Sequence, residues 1–260
     1  MMIKQNITET IAINIEGEVD TYYFTVLKDR YEKVPTEYQD AKTLFEMYAE
    51  KMVMVPLSKE ESEQGGISRY EPANKKIWID VQKDIYAIES GGIFFHEFAH
   101  MVVDLNHMYE KVVPVGRFKE FSEALIAEAS DYIGKWEKRA SELAEKYRVA
   151  PERREEFIYN KTMELMKKDI LESNSYFFPY GSLSDILDGG SHDKYQISQG
   201  HCPEDGHAYW ELPYHLPDEA FADIFRCQIL GLKEEITKIK KIFSKSYEMY
   251  NTILKSIINK

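Results

Sequence analysis

The chain is poor in cysteine. Cys202 and Cys227 are the two it has among 260 residues, which excludes a disulfide framework and leaves at most one bridge. It is also short of positive charge: 33 Lys+Arg stand against 45 Asp+Glu, a formal net charge of −12. A general electrostatic grip on nucleic acid or anionic lipid is therefore not expected. No apolar run approaches the roughly 18 residues of a membrane span. The opening stretch MMIKQNITETIAINIEGEVD puts Asn, Thr, Glu and Asp where a signal peptide needs its apolar block. Repeats and low-complexity tracts are absent as well. The chain reads as soluble and cytoplasmic, with neither nucleic acid nor membrane as a partner.

What is present is enough apolar and aromatic side chain (43% and 13%) to exclude disorder, on a chain long enough to bury its own core. TIAINI (10–15) alternates as a strand does, whereas TYYFTVL (21–27) fits strand or helix. Ala41, Leu44, Phe45 and Tyr48 fall at helical spacing, and KMVMVPL (51–57) reads as a buried strand ended by Pro56. ISRYE (67–71) and KIWIDV (76–81), with Pro72-Ala73-Asn74 between them, predict a hairpin. Ser90 is the expected N-cap of a helix over about 91–106. Two long charged helices follow, roughly 118–148 and 152–174, an antiparallel pair separated by Pro151. Residues 179–216 read as loops, 217–230 as helix, and the stretch after Gly231 as one final helix packed along a stripe from Leu232 to Ile257.

Chemistry concentrates in His96-Glu97-Phe98-Ala99-His100, an HExxH pattern inside a predicted helix. Four residues are just over one helical turn, so both imidazoles project from one side and can share an ion. Glu97 lies about 100° further round, beside the ion without binding it, where a general base for an activated water belongs. At this chain's composition the pattern is expected by chance about 0.02 times. Downstream, Glu219-Ala220-Phe221-Ala222-Asp223 opens a second helix after Pro217, and Glu219 can complete a two-His, one-Glu ligand set for a single zinc. Asp223, one turn on, can accept the free N–H of a ligand histidine, and Asp104, one turn beyond His100, is placed for a similar part. Exposed helix carboxylates are the plainer reading of both. His192, His201, Cys202, His207 and His215 are five further potential ligands in one loop-rich stretch that could form a second, structural zinc site, although no CxxC or HxxxH pair occurs among them. Cys227 is most simply a small buried side chain.

HEFAHMVVD (96–104) with EAFADIF (219–225) resembles the gluzincin branch of zinc metallopeptidases, in particular the anthrax-lethal-factor-like catalytic domain. Ser184-Asp185-Ile186, Gly206-His207-Ala208-Tyr209-Trp210 and Glu219-Ala220-Phe221-Ala222 follow in an order similar to the zincin-like domain of phage head-associated and mobile-element proteins. The resemblance covers roughly 38–104 and 180–258. It implies an α+β, mainly helical zincin-like fold with a small mixed sheet, and 1–260 is expected to be a single such domain whose long helical-hairpin insert at about 105–178 has no counterpart in the family. It implies one catalytic Zn2+ on His96, His100 and Glu219, Glu97 as base, and hydrolysis of a peptide bond in a peptide or protein substrate. The chain departs from the pattern in carrying Ala99 where such domains often have Gly, and in the long gap between His100 and Glu219. The insert that fills this gap offers a docking element for a protein partner.

Peptide hydrolysis also needs a donor to the tetrahedral oxyanion, and Tyr209, Tyr214 and His207 are the candidates, with nothing in the spacing to select one. The strand ahead of the helix, ISRYE, is either an edge that pairs with an extended substrate or an ordinary hairpin arm. Two classes of function follow: an active zinc endopeptidase, or a phage or mobile-element interaction protein that keeps the scaffold with little or no proteolysis. Retention of Glu97 favours the first, since a purely structural metal site has no use for a base.

Overall fold

The alternating segment near the start does form a strand, and it joins a mixed sheet. In the computed structural model, which describes residues 2–9, 11–87, 89–171, 181–195, 197 and 206–260, side chains of 171 and 206–208 excepted, the chain is α+β and mostly helical. β1 (Met2–Asn6) and β2 (Ala12–Glu16) form an antiparallel pair, followed by α1 (Thr21–Glu32), α2 (Gln39–Tyr48), β3 (Val53–Pro56) and α3 (Lys59–Glu63). Then come β4 (Arg69–Glu71), β5 (Lys76–Ile79), α4 (Val81–Tyr86) and α5 (Gly92–Leu105). The sheet order is β1-β2-β3-β5-β4; β3 runs parallel to β2 and β5, and β4 closes the edge as the antiparallel hairpin partner of β5. Of the two readings of 21–27, helix prevails: Tyr23, Phe24, Leu27 and Tyr31 are buried at helical spacing, and Asp20 caps the first turn through the Tyr22 N–H at 2.8 Å.

A short two-stranded ladder, β6 (Tyr109–Glu110) with β7 (Val113–Pro114), precedes the helices α6 (Gly116–Lys146), α7 (Pro151–Leu171), α8 (Gly181–Ser191), α9 (His215–Leu230), α10 (Lys233–Ile242) and α11 (Ser244–Ile258). The chain packs as two compact units, one of Met1–Tyr109, Phe221–Ile236 and Tyr250–Lys260, the other of Glu110–Ala220 and Thr237–Met249. α9 is one unbroken helix that starts in the second unit and ends in the first.

The core of the first unit is aromatic. Phe45 of α2 meets Phe94, Phe95 and Phe98 of α5 with ring centroids 4.9–6.3 Å apart, all four fully buried, and Phe98 stacks on Phe225 of α9 at 5.7 Å. Burying a side chain of this size stabilises by about 1.5–3 kcal/mol, and edge-to-face geometry adds to that. α5 is thus fixed by its Phe face while its histidines project elsewhere.

In the second unit α6 and α7 are antiparallel: Arg154 pairs with Glu145 at 2.8 Å near the turn, and the Tyr132 hydroxyl donates to Asp169 at 3.0 Å further along. Two expectations fail here. The stretch 179–216 is not all loop, because α8 forms across Gly189-Gly190. Those glycines are there for close packing: a Cβ on Gly189 would come within 2.7 Å of the Trp210 ring, and one on Gly190 within 2.5 Å of the Ala129 Cβ on α6. The final stretch is likewise two helices, not one. The main-chain N–H groups of Lys245 and Ser246 donate to Glu128 of α6, both at 2.9 Å, which caps α11 where a continuous helix would run on. Among the described residues no helix is long and apolar enough to cross a membrane.

Candidate metal centre

The helix bearing both histidines is not capped by Ser90. That hydroxyl donates to the Ile85 and Ala87 carbonyls, and Gly91, at φ +83°, is the residue before the first turn. The free N–H groups at the helix start are taken by Asp84 of α4 instead: Ile93 N donates to Oδ1 at 2.9 Å and Phe94 N to Oδ2 at 3.4 Å. Tyr23 adds its hydroxyl to Oδ2 at 2.6 Å, and Asp84 is fully buried. Burial pushes its carboxyl above the usual range, opposed by these three donors and by the charge of Arg226. The Tyr23 hydroxyl is in turn pushed up by burial and by the Asp84 charge.

On this helix His96 and His100 turn toward each other, Nε2 to Nε2, at 3.0 Å, with the rings nearly perpendicular. His96 Nδ1 faces the Asp223 Oδ1 at 3.4 Å, and Asp223 is 1% exposed. Glu219 stands one turn earlier on α9, and one candidate ligand atom each from His96, His100 and Glu219 lie within 4.8 Å of one another. Asp223 also faces Arg226, Nη2 to Oδ1 at 3.7 Å, and the same guanidinium lies 3.9 Å from Glu89. Burial works against the charge of Arg226, but Asp223, Cys227, Glu89 and Glu235 outweigh it and raise its pKa. Burial raises the Glu89 carboxyl, with Arg226 and Arg30 pulling the other way.

Glu97 is buried and accepts the main-chain N–H of Tyr70 in β4 at 2.7 Å on Oε2. Two turns along the helix, Asp104 accepts the Tyr70 hydroxyl at 2.6 Å. Of the three candidate oxyanion donors, Tyr209 donates its hydroxyl to Glu219 Oε1. Its position is supported by His215, whose Nδ1 meets the Tyr209 carbonyl at 2.6 Å and whose ring lies on the Tyr209 ring at 4.2 Å. Tyr214 packs edge-on against His215, its hydroxyl pushed up by burial and the Asp218 charge. The side chain of His207, and His201 and Cys202 entirely, lie outside the described residues. His192 Nδ1 meets the Trp210 carbonyl at 3.2 Å, and His96, His100 and Glu219 are the metal-type cluster found among the described residues. Cys227 is buried, as a small apolar side chain would be.

Two imidazoles and a carboxylate are a donor set suited to a borderline-soft divalent cation. Ligands about 2.0–2.1 Å from a tetrahedral ion lie roughly 3.3 Å apart, and the Nε2 pair is already at 3.0 Å. The residues fit such an ion. Asp84, Tyr70, Arg226 and Glu89 are the partners that the sequence did not disclose; Ser90, next to the helix start, masked the cap that Asp84 provides. No family model, no curated protein and no solved structure matches the chain.

Proposed function

We propose that the protein is a zinc-dependent endopeptidase of gluzincin type, with His96, His100 and Glu219 holding one zinc and Glu97 as general base. The observation that carries this reading is the gathering of one candidate ligand atom from each of those three residues within 4.8 Å, on a helix pair that also supplies Glu97 and Asp223. Zinc, when bound, lowers the pKa of a water molecule to about 7 and polarises the scissile carbonyl. The chain's own groups do the rest. Asp223, facing His96 Nδ1, favours the tautomer that keeps the proton there and leaves Nε2 as a ligand. Glu97, with Oε2 held by the Tyr70 N–H, presents Oε1 to receive the proton of the attacking water and later to return it to the leaving amine. Tyr209, already at Glu219, is assigned as the donor that steadies the developing oxyanion.

The resemblance to lethal-factor-like and phage-associated zincin-like domains supports the same reading. The test is cleavage profiling of a peptide library by the purified chain, with metal analysis on the same preparation. Zinc near one equivalent and chelator-sensitive cleavage are expected; a zinc-loaded chain that cuts no peptide would overturn the enzymatic reading.

A further inference from the structure

Tyr70 touches the candidate site twice, through its main chain and through its side chain. Its N–H goes to Glu97 Oε2 at 2.7 Å and its hydroxyl to Asp104 Oδ2 at 2.6 Å. Glu97 and Asp104 are seven residues apart, two turns of α5, and therefore on one face about 10 Å apart along the axis. A single residue of the sheet's closing strand is thus fastened along two turns of the helix that carries the ligands. In an antiparallel pair successive amides alternate in direction. Tyr70, opposite Ile77, turns its N–H away from β5 toward α5, while Arg69 and Glu71 lie on either side of it, opposite Trp78 and Lys76.

The hairpin that presents this amide is itself braced. Glu71 accepts from Trp78 Nε1 at 3.0 Å and from Asn74 Nδ2 at 2.5 Å, and Ser68 Oγ accepts the Asp80 N–H at 2.9 Å. Glu71 is held below the usual carboxylate range by those two donors, Trp78 first. An unanchored Glu side chain has three rotatable bonds and disperses over many rotamers. A fixed main-chain donor on one oxygen selects a single orientation and leaves the other oxygen for proton transfer.

We infer that Tyr70 is a positioning residue: its main-chain N–H orients Glu97, and its hydroxyl, through Asp104, holds the strand that carries this N–H against α5. The inference rests on the reading of Glu97 as the base. It is tested on the zinc-loaded chain with Tyr70→Phe, which keeps ring and amide, and with Asp104→Ala, which removes the acceptor, as a second variant should the first fold poorly. Zinc content is expected to be unchanged. On a peptide that the parent cuts, kcat is expected to fall about tenfold with KM within about twofold, since misplacing a catalytic group costs turnover and leaves binding alone.

A second arm needs no activity. Amide hydrogen exchange is measured residue by residue in the parent and in Glu97→Ala. Loss of a hydrogen bond to a carboxylate should speed exchange at Tyr70 about tenfold or more while Arg69 and Glu71 stay as they are. If Tyr70→Phe and Asp104→Ala both cut at the parental kcat, the inference fails and the peptidase reading stands. If the parent cuts nothing, the peptidase reading fails, and the exchange arm decides the anchor: an unmoved Tyr70 amide in Glu97→Ala overturns it.

Discussion

Asp84 and Ile93 are joined by a 2.9 Å hydrogen bond from the Ile93 N–H to Oδ1, so the ligand-bearing helix is capped by a carboxylate from the element before it. Replacing that carboxylate tests how far the cap sets stability. Asp84→Ala should cost about 1–2 kcal/mol from the lost cap, and more from the Tyr23 hydroxyl left buried without its acceptor. Thermal unfolding at neutral pH measures the loss.

The same residue predicts a pH dependence. Burial raises the folded-state pKa of Asp84 above its ordinary 3.8, so in the window above that value the native state holds a proton that the unfolded chain has released. Native stability from this group is therefore fully present below about pH 4 and is lost as pH rises through the raised value. Asp84→Asn cannot titrate. The difference in Tm between Asp84→Asn and the parent should shift in favour of the variant between pH 4 and pH 7. A difference that stays flat, or moves toward the parent, contradicts the assignment.

For the metal, purified protein should carry about one zinc per chain, as three protein ligands and a water hold it tightly. His96→Ala, His100→Ala and Glu219→Ala should each remove most of it, read by elemental analysis after gel filtration. Full occupancy in Glu219→Ala would transfer the third ligand to another residue, with Asp223 the first to examine.

Glu97→Gln keeps the shape of the side chain, including an oxygen for the Tyr70 N–H, and removes the proton acceptor. Cleavage of any accepted peptide should fall by at least about 10²–10⁴-fold with zinc retained. An unchanged rate in a zinc-loaded variant is incompatible with Glu97 as the base.

Gly190 lies where a Cβ would stand 2.5 Å from the Ala129 Cβ. Gly190→Ala gains up to about 1 kcal/mol of helix propensity but overpacks the contact by about 1–3 kcal/mol. A net drop in Tm is expected, and moving the methyl group by adding Ala129→Gly should recover most of it. An undisturbed Tm in the single variant would mean that α6 and α8 are not in close contact.

The parts of this fold readable from sequence are those written in local spacing. His96, Glu97 and His100 share one helical turn, Glu219 and Asp223 another, and the buried Ala41, Leu44, Phe45 and Tyr48 announce α2 by their period. What was hidden depends on pairs far apart in the chain. The cap of α5 comes from Asp84 while Ser90 offers a nearer, standard-looking alternative, and the donor to Glu97 is a main-chain N–H, which carries no residue identity to read. α8 was obscured because two adjacent glycines signal a break unless the neighbouring Trp210 and Ala129 that require them are known. The division between α10 and α11 depends on Glu128, more than a hundred residues earlier.

Tyr250 packs its ring on Phe221 at 5.0 Å and donates its hydroxyl to Gln228 at 3.1 Å, both on α9. This has a consequence during synthesis. The first 109 residues, including His96 and His100, leave the ribosome well before the segments Phe221–Ile236 and Tyr250–Lys260 that complete their unit. At about 5–20 residues per second, the interval between residue 109 and residue 250 is roughly 7–30 s. Until residue 223 emerges the two histidines are translated without Asp223, and until Tyr250 emerges α9 lacks the ring packed on Phe221. Assembly of the metal centre is therefore a late event in the life of the nascent chain, and a premature stop shortly before Tyr250 would yield a product with every proposed ligand but without the brace on α9.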